Sequence, residues 1–498
     1  MGVILRQGFK TTIVRMVATV IGMISMLFVY PLDHVAYGRY QFIMSCALLL
    51  MPFAGMGIQN IIIKYFTSFK NQRVQSTSIF PTFIAVFVGY FILFGFLYFG
   101  LIDYIFSWFT TLGFDESLLY QEKYWIVGLV FLTILVSMTK SYISNYGRVV
   151  IPSIIGEIGQ KLFIPSIVLL VYFGYLTYDT ITPMVLLFNF LVFLCLLLYI
   201  LHLKKLTWKL DLNYFKDRQI RNSVLTFGLF SSLSSLGSNM SFRLDSFMIT
   251  TLLDAGKNGL YFNILVIASV IDIPLQSIAK IASPVIAKSW EENNHKELQS
   301  IYQKSSIVNQ IVGSIIFLGV WANLEHLFAI SSKPEAFIGA SSIFLILGVA
   351  KLFDGMMGLN SQIIGFSKLY KYNLVFLLIL GILSTATNFY LIPKYGVIGA
   401  AIATFISLLL FNLLKFVFIK TKFGMQPFTF QSFLVFIIFV ITAALVNIIP
   451  TIDNNWIAII IKSIVVVGLF VPAVFLMKLS PDFNTALKIY LLDKVRRR

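Results

Sequence analysis

The chain contains apolar runs, one after another, that are each long enough to cross a lipid bilayer as a helix. A spanning helix needs about 20 mostly apolar residues, and fourteen such runs occur in the 498 residues. Only 12% of the residues are charged, whereas soluble domains carry about 25%. The sequence therefore predicts an all-α polytopic membrane protein with runs near 11–32, 39–63, 79–101, 123–145, 151–173, 183–203, 222–252, 259–286, 305–330, 336–360, 371–392, 396–419, 430–450 and 456–477.

Basic residues are distributed unevenly between the connectors. The connectors on one side, together with the tail, hold most of the lysines and arginines, at 64–73, 140–148, 204–221, 288–304, 368–371, 420–422 and 478–498. The opposite connectors hold few bases and several acids: Arg39, Lys123, Lys257, Lys333, Lys394, Asp103, Asp115 and Glu116. Lysine and arginine favour cytoplasmic loops, so both termini are predicted to be cytoplasmic, which requires an even number of spans. This bias, rather than nucleic-acid binding, accounts for the net charge of +17.

The most polar internal segment, 201–222, follows the sixth run and divides the chain into two halves. A short repeat supports the division. VAYGRYQFI (35–43) and KNGLYFNIL (257–265) each lie on the outer side, at the start of the second run of a half. Parallel repeats of this kind are a common plan among transporters.

Sequence motifs for enzymatic or metal chemistry are absent. The chain has no GxxxxGK[ST] phosphate loop, no HExxH and no GxSxG, and its longest connectors, of about twenty residues, are too short for a catalytic domain. The two cysteines, Cys46 and Cys195, lie far apart in apolar runs, and the four histidines have no metal-ligand spacing. The sequence predicts a protein that is not an enzyme and binds no cofactor, although H⁺ or Na⁺ is a candidate coupling ion.

Several segments carry a resemblance to a known family. NFYLIPKYGVIGAAIATFIS (388–407) resembles the hairpin of the eleventh and twelfth helices of bacterial polysaccharide flippases, which export O-antigen, capsule and related repeat units. The segments 6–32 and 37–66 look like that family's first two helices, and SNMSFRLDSFMI (238–249) is similar to its seventh. The family belongs to the multidrug/oligosaccharidyl-lipid/polysaccharide exporter (MOP) superfamily.

The resemblance implies two six-helix bundles followed by two extra helices. The expected divisions are a first bundle at 1–203, a cytoplasmic linker at 204–221, a second bundle at 222–420, and two extra helices with a basic cytoplasmic tail at 421–498. It also implies a flippase of the bacterial inner membrane that moves lipid-linked oligosaccharide by alternating access. Its expected partners are that substrate, membrane lipids and a polysaccharide polymerase, with no nucleic acid.

Ionisable residues inside the runs are the strongest candidates for a functional site, since each costs about 2.5–3.5 kcal/mol at a helix centre. Cationic and amide side chains suit a diphosphate and its sugars, and the candidates are Arg15, Arg243, Lys280, Lys351, Asn60 and Asn239. Buried carboxyl groups can carry a proton or bind a cation, and the candidates for ion coupling are Glu157, Asp245, Asp272 and Asp354.

Each candidate also has a structural interpretation. Glu157 and Lys161 are four residues apart, and Lys351 and Asp354 are three apart, so each pair is expected to share a helix face and neutralise itself. Arg15 and Lys280 are left as unpaired cations toward the cytoplasmic side, where Arg15 can snorkel to the headgroups. Asn60 and Asn239 can instead form hydrogen bonds between helices.

Three alternative functions remain open from the residues. A cation-coupled multidrug antiporter would need a net-acidic cavity, whereas the membrane charges comprise five bases and four acids. A membrane-embedded glycosyltransferase or polymerase would need a large loop or an acidic metal cluster. A flippase of lipid-linked peptidoglycan precursor tends to carry several arginines in its first two spans, where this chain has Arg15 well inside.

Overall fold

The computed structural model describes residues 2–71, 78–208, 210, 217–450, 452–485 and 487, and these form helices joined by short connectors, with no strand among them. Most of the predicted basic tail (488–498) and part of the predicted linker (209 and 211–216) lie outside the described residues. Within them, ten helices are long and apolar enough to cross a membrane, or twelve if each of two bent helix pairs forms one span. The prediction of an all-α polytopic membrane protein is confirmed, while the count of fourteen and the sidedness stay predictions.

Two helices explain how the structural count differs from the sequence count. Helix Lys371–Phe423 has 53 residues, about 80 Å at 1.5 Å per residue, whereas the bilayer core is about 30 Å thick. It breaks at Gly396, whose φ of 59° lies in the left-handed region, so it comprises two helices. Helix Arg218–Leu252 is not among the ten, because its serines and the charged Arg243 and Asp245 lower its apolar content.

The contacts group the chain into two units, 1–260 and 261–498. The first unit contains helices α1 Gly2–Phe28, α2 His34–Gly55, α3 Ile58–Asn71, α4 Ile79–Thr111, α5 Ser117–Ser144, α6 Val150–Ser153, α7 Gly159–Tyr172, α8 Ile181–His202 and α9 Arg218–Leu252. Helix α10, Ala255–Ser269, crosses the boundary. The second unit contains α11 Ile273–Glu291, α12 His295–Ala329, α13 Ala340–Met356, α14 Asn360–Phe366, α15 Lys371–Phe423, α16 Phe430–Asn447 and α17 Asn455–Leu476. This division reflects which helices pack together. It does not test the predicted limits of the two bundles, which stay predictions.

In the first unit, the two copies of the sequence repeat meet at their glycines. Gly38 of the first copy lies against the backbone of Ala255 and Gly259, and Gly259 of the second copy lies against the backbone of His34 and Gly38. A Cβ atom at either glycine would overlap a carbonyl oxygen of the other helix. The side chain of Asn258 donates a 3.0 Å hydrogen bond to the Gly38 carbonyl. Glycine is therefore required at both positions for α2 and α10 to approach so closely.

In the second unit, α12 is the central helix and packs against α11, α13, α16 and α17. The small residues of the KYGVIGAAIAT segment begin the second half of α15, after the break at Gly396. Gly399, Ala400, Ala401 and Ala403 are all buried, and a Cβ at Gly399 would overlap the Leu391 carbonyl. The segment thus lets the two halves of α15 pack backbone to backbone.

Candidate functional site: two charged clusters

A turn of π-helix sets the direction of the first predicted acid. The segment between α6 and α7, Ile154–Ile158, is π-helical and contains Glu157. Its i→i+5 bonding widens the turn, so residues four apart no longer lie above one another as in an α-helix. The Glu157 carboxylate lies 3.4 Å from Nε of Arg15 on α1. The predicted Glu157–Lys161 pair is therefore wrong, and so is the prediction that Arg15 is unpaired.

Two lysines lie on the helices that pack around this ion pair, Lys140 near Glu157 and Lys161 about two turns farther along α1 from Arg15. The amine of Lys161 lies against Gly22 of α1, where an added Cβ would stand 3.2 Å from Nζ. The amine of Lys140, on α5, fills the space beside Gly156 and interacts electrostatically with Glu157. We call Arg15, Lys140, Glu157 and Lys161 the basic cluster, which has three bases and one acid. Lys140 was interpreted from the sequence as a connector residue, but α5 extends to Ser144 and carries it inside the unit.

The basic cluster is partly open. The side chain of Arg15 is 55% exposed and that of Glu157 is 36% exposed, and exposed ion pairs contribute only about 0–1 kcal/mol. Beside it, Lys140 lines a cavity of about 140 Å³ inside the first unit together with Thr133, Gln160 and Asn189. The Arg15 guanidinium is therefore held loosely and remains accessible to an anion.

The amides Asn60 and Asn239 lie where α2 bends by 52° into α3. Pro52 has no N–H and cannot bond to the Leu48 carbonyl one turn before it, and the Asn239 side chain donates to that carbonyl at 2.6 Å. Asn60 donates to Ser231 Oγ at 2.7 Å. The two amides hold α2 and α3 to α9, as the hydrogen-bonding alternative expects, and their role in sugar binding stays a prediction.

Arg243 and Asp245, the other two candidate residues of α9, lie farther along the helix than its serine-rich part. Arg243 is half-buried, and its Nη1 lies 3.5 Å from Gln41 Oε1. Asp245 is buried, with 4% of its surface exposed. The structure thus places Arg243 against α2.

In the second unit, a short 3₁₀ turn positions the first acid. Val270–Asp272 separates α10 from α11, because Pro274 cannot donate to the Val270 carbonyl. The carboxylate of Asp272 lies 2.8 Å from Nζ of Lys351 on α13, and both side chains are largely buried, at 13% and 6% exposure. The sequence predicted that Lys351 pairs with Asp354 on the same helix. In the structure, Lys351 forms an ion pair with Asp272.

A second bend carries the other acid. Helices α13 and α14 meet at 44° around Gly358, whose φ is 61°. Asp354 accepts a 2.7 Å hydrogen bond from Asn412, and Asn412 accepts one of 2.9 Å from Asn360. Breaks in spanning helices are where transporters commonly place binding sites.

One buried lysine completes this group. Lys415 is 1% exposed, donates to Ser361 Oγ at 2.7 Å and lies 3.8 Å from the centre of the Phe411 ring. It also interacts electrostatically with Asp354. We call Asp272, Lys351, Asp354 and Lys415 the balanced cluster, which has two bases and two acids.

Sequence reasoning missed Lys415 and Asn412, although the signal was present. Both lie inside the predicted run 396–419, so Lys415 was an ionisable group within a span. The remaining predicted cation, Lys280, is exposed on α11. Of the candidate residues, the structure pairs Arg15 with Glu157 in the first unit and Asp272 with Lys351 in the second.

No protein-family model matches the sequence, and no curated protein matches it. Solved structures do match the fold. Lipid II flippase MurJ in an inward closed conformation has a TM-score of 0.68 at 13% identity, with 94% of this chain and 98% of that chain covered. The chain therefore shares its fold with this structure.

Two further structures give the same result. An inward-facing multidrug resistance MATE family transporter of the MOP superfamily has a TM-score of 0.60 at 14% identity, with 82% of this chain and 94% of that one covered. A MOP superfamily transporter from Pyrococcus furiosus, described as having a binding pocket of reversed polarity, has a TM-score of 0.53 at 17% identity and covers 85% of this chain and 95% of its own. These likenesses confirm the predicted type of fold.

Proposed function

We propose that this protein is a flippase that moves polyprenyl-diphosphate-linked oligosaccharide repeat units from the cytoplasmic to the outer leaflet of the bacterial inner membrane by alternating access. The basic cluster carries the proposal. A lipid-linked diphosphate bears two or more negative charges, and a guanidinium binds phosphate oxygens through two parallel hydrogen bonds. Arg15 is accessible, Lys140 interacts electrostatically with its partner Glu157, and Lys161 adds a third positive charge against Gly22 of the same helix, α1.

The charge of the cluster argues against the multidrug alternative. A cationic drug requires acids that are not already neutralised. In the basic cluster the single acid, Glu157, is outnumbered by three bases. In the balanced cluster the acids interact with Lys351 and Lys415. An anionic substrate meets favourable charge in the first unit.

A lipid-linked peptidoglycan precursor is the second candidate substrate. The likeness to lipid II flippase MurJ over 94% of the chain favours it, and it shares the diphosphate with the first candidate. The two substrates differ in their sugars and peptide, which the cationic groups do not read.

Ion coupling is proposed at the acids Glu157, Asp245, Asp272 and Asp354, with H⁺ or Na⁺ as the ion. The Asp272–Lys351 pair offers a specific step, since a proton or Na⁺ on Asp272 would replace the charge of Lys351. Release of Lys351 would then change how α13 packs on the 3₁₀ turn.

The decisive experiment is a transport assay with three substrates in parallel. The purified protein is reconstituted into vesicles containing a polyprenyl-diphosphate oligosaccharide, lipid II or a fluorescent cationic drug, and flipped sugar is detected with a membrane-impermeant glycosidase. We expect flipping of the first substrate and no accumulation of the drug. Flipping of lipid II alone would replace the proposed substrate by the second candidate, and drug transport alone would refute the flippase.

A further inference from the structure

A basic pocket lies at one end of the second unit. It has a volume of about 580 Å³ and is formed where α12 begins and α15 ends. Its lining includes His295, Lys296 and Lys420, all exposed, and none of its lining residues is acidic. The charge of the pocket is therefore positive, and its size suits a phosphate-bearing headgroup.

The wall of the pocket is a built structure rather than a loose surface. Gln299 and Gln426 bond to each other in both directions, from the Gln299 side chain to the Gln426 carbonyl at 2.8 Å and from the Gln426 N–H to the Gln299 side chain at 3.0 Å. The chain reverses after α15 at Gly424, whose φ is 69°. These bonds fix the segment after α15 against the first turn of α12.

Two acids near the pocket, Glu297 at the start of α12 and Glu292 of the connector before it, have partners outside the pocket lining. Glu297 accepts hydrogen bonds from Ser289 and Asn294 at 2.8 and 3.2 Å. Glu292 lies 3.6 Å from the amine of Lys288. The positive charges of Lys296 and Lys420 thus remain available to a ligand.

The pocket also lies at the ends of two helices that are long and apolar enough to span a membrane. It is bounded by the first residue of one spanning helix and the last residues of another. The Trp290 ring lies beside it, 4.8 Å from the Phe423 ring and 5.5 Å from the His295 ring. Tryptophan is enriched at the membrane–water interface, and basic pockets between spanning helices are typical sites for anionic headgroups.

We propose that this pocket binds the phosphate of an anionic phospholipid headgroup, held by Lys296 and Lys420 with His295 beside them. The site does not depend on the transported substrate. A bound lipid would join the start of α12 to the end of α15 and stabilise the second unit.

Trp290 provides a local reporter for the test. The protein is reconstituted in phosphatidylcholine vesicles with increasing amounts of phosphatidylglycerol carrying brominated acyl chains, which quench tryptophan fluorescence. The Trp290→Phe variant gives the contribution of Trp290 by difference. Each basic residue near an anionic surface contributes about 1 kcal/mol, so the Lys296→Gln/Lys420→Gln variant should need about 25-fold more of the anionic lipid for the same quenching.

The matched control is Lys288→Gln, which removes an exposed lysine in the last turn of α11 that does not line the pocket. We expect its quenching to equal that of the unchanged protein. A shift of about fivefold in the control, the full effect of one basic residue near an anionic surface, would overturn the proposal in favour of general surface attraction. Complete relief of quenching by millimolar inorganic phosphate would identify the ligand as free phosphate instead of a headgroup.

Discussion

The basic cluster and the balanced cluster contain the same number of ionisable groups but hold them in different ways. In the first, the ion pair is 3.4 Å long and its arginine is 55% exposed. In the second, the pair is 2.8 Å long and both partners are largely buried. Further bonds from Asn412 to Asp354 and from Lys415 to Ser361 join α15 to the bend between α13 and α14. A loose, net-positive group can exchange its partner for a substrate, whereas a tight, neutral group transmits a change of charge to the helices that it joins.

The largest expected effect lies in the balanced cluster. Lys351→Met removes one partner of a buried ion pair and leaves the Asp272 charge uncompensated, which should lower the free energy of unfolding by about 3–5 kcal/mol. The measurement is thermal unfolding of the purified protein in detergent. The double variant Lys351→Met/Asp272→Leu should recover most of the loss, because an apolar pair of similar volume can replace a buried ion pair.

Lys280→Met is the control for this comparison, since Lys280 is an exposed lysine of the same unit. It should leave the unfolding temperature nearly unchanged. A loss in the double variant as large as in Lys351→Met would contradict the charge explanation and indicate that packing around α13 decides stability.

In the basic cluster, the main effect should be on substrate affinity and not on folding. A charge-assisted hydrogen bond contributes about 1.5–3 kcal/mol, so Arg15→Ala should weaken binding of the diphosphate lipid by about 10- to 150-fold. Arg15→Lys keeps the charge but loses the planar fork of the guanidinium. Its affinity should therefore lie between those of the unchanged protein and Arg15→Ala. The measurement is complementation of polysaccharide export, with the level of each variant in the membrane checked by blotting.

Arg218→Ala is the matched control, because Arg218 is exposed at the start of α9. Normal export by Arg15→Ala at normal abundance would remove Arg15 from substrate recognition. Full rescue by Arg15→Lys together with failure of Arg15→Ala would show a need for charge without the fork.

The two clusters also differ in how far the sequence could predict them. The apolar runs predicted the helical membrane fold, because span length depends on composition alone. The pairing of Glu157 could not be predicted from spacing, since a π-turn between Ile154 and Ile158 changes the phase of the helix. The partner of Lys351 was also out of reach, because Asp272 is far away in sequence and reaches it only through the packing of α13 on the 3₁₀ turn.

Two other features are present in the sequence, but their role depends on packing. Lys415 lies within an apolar run and could have been counted among the membrane charges. The repeat around Gly38 and Gly259 was recognised, but only the structure brings the two glycines into contact. Local pattern thus predicts which residues are unusual, and tertiary packing decides which of them meet.

The smallest expected effect is also the one that best separates the roles of the two clusters. Glu157→Gln removes the acid of an exposed pair and should change the free energy of unfolding by no more than about 1 kcal/mol, far less than Lys351→Met. Because three bases then face no acid within the cluster, affinity for the diphosphate lipid should rise by up to about fivefold. Glu325→Gln, an exposed acid of α12, should change neither quantity. Unchanged affinity in Glu157→Gln would remove Glu157 from the electrostatics of substrate binding, and transport that no longer responds to an imposed pH gradient would support the ion coupling proposed for this residue.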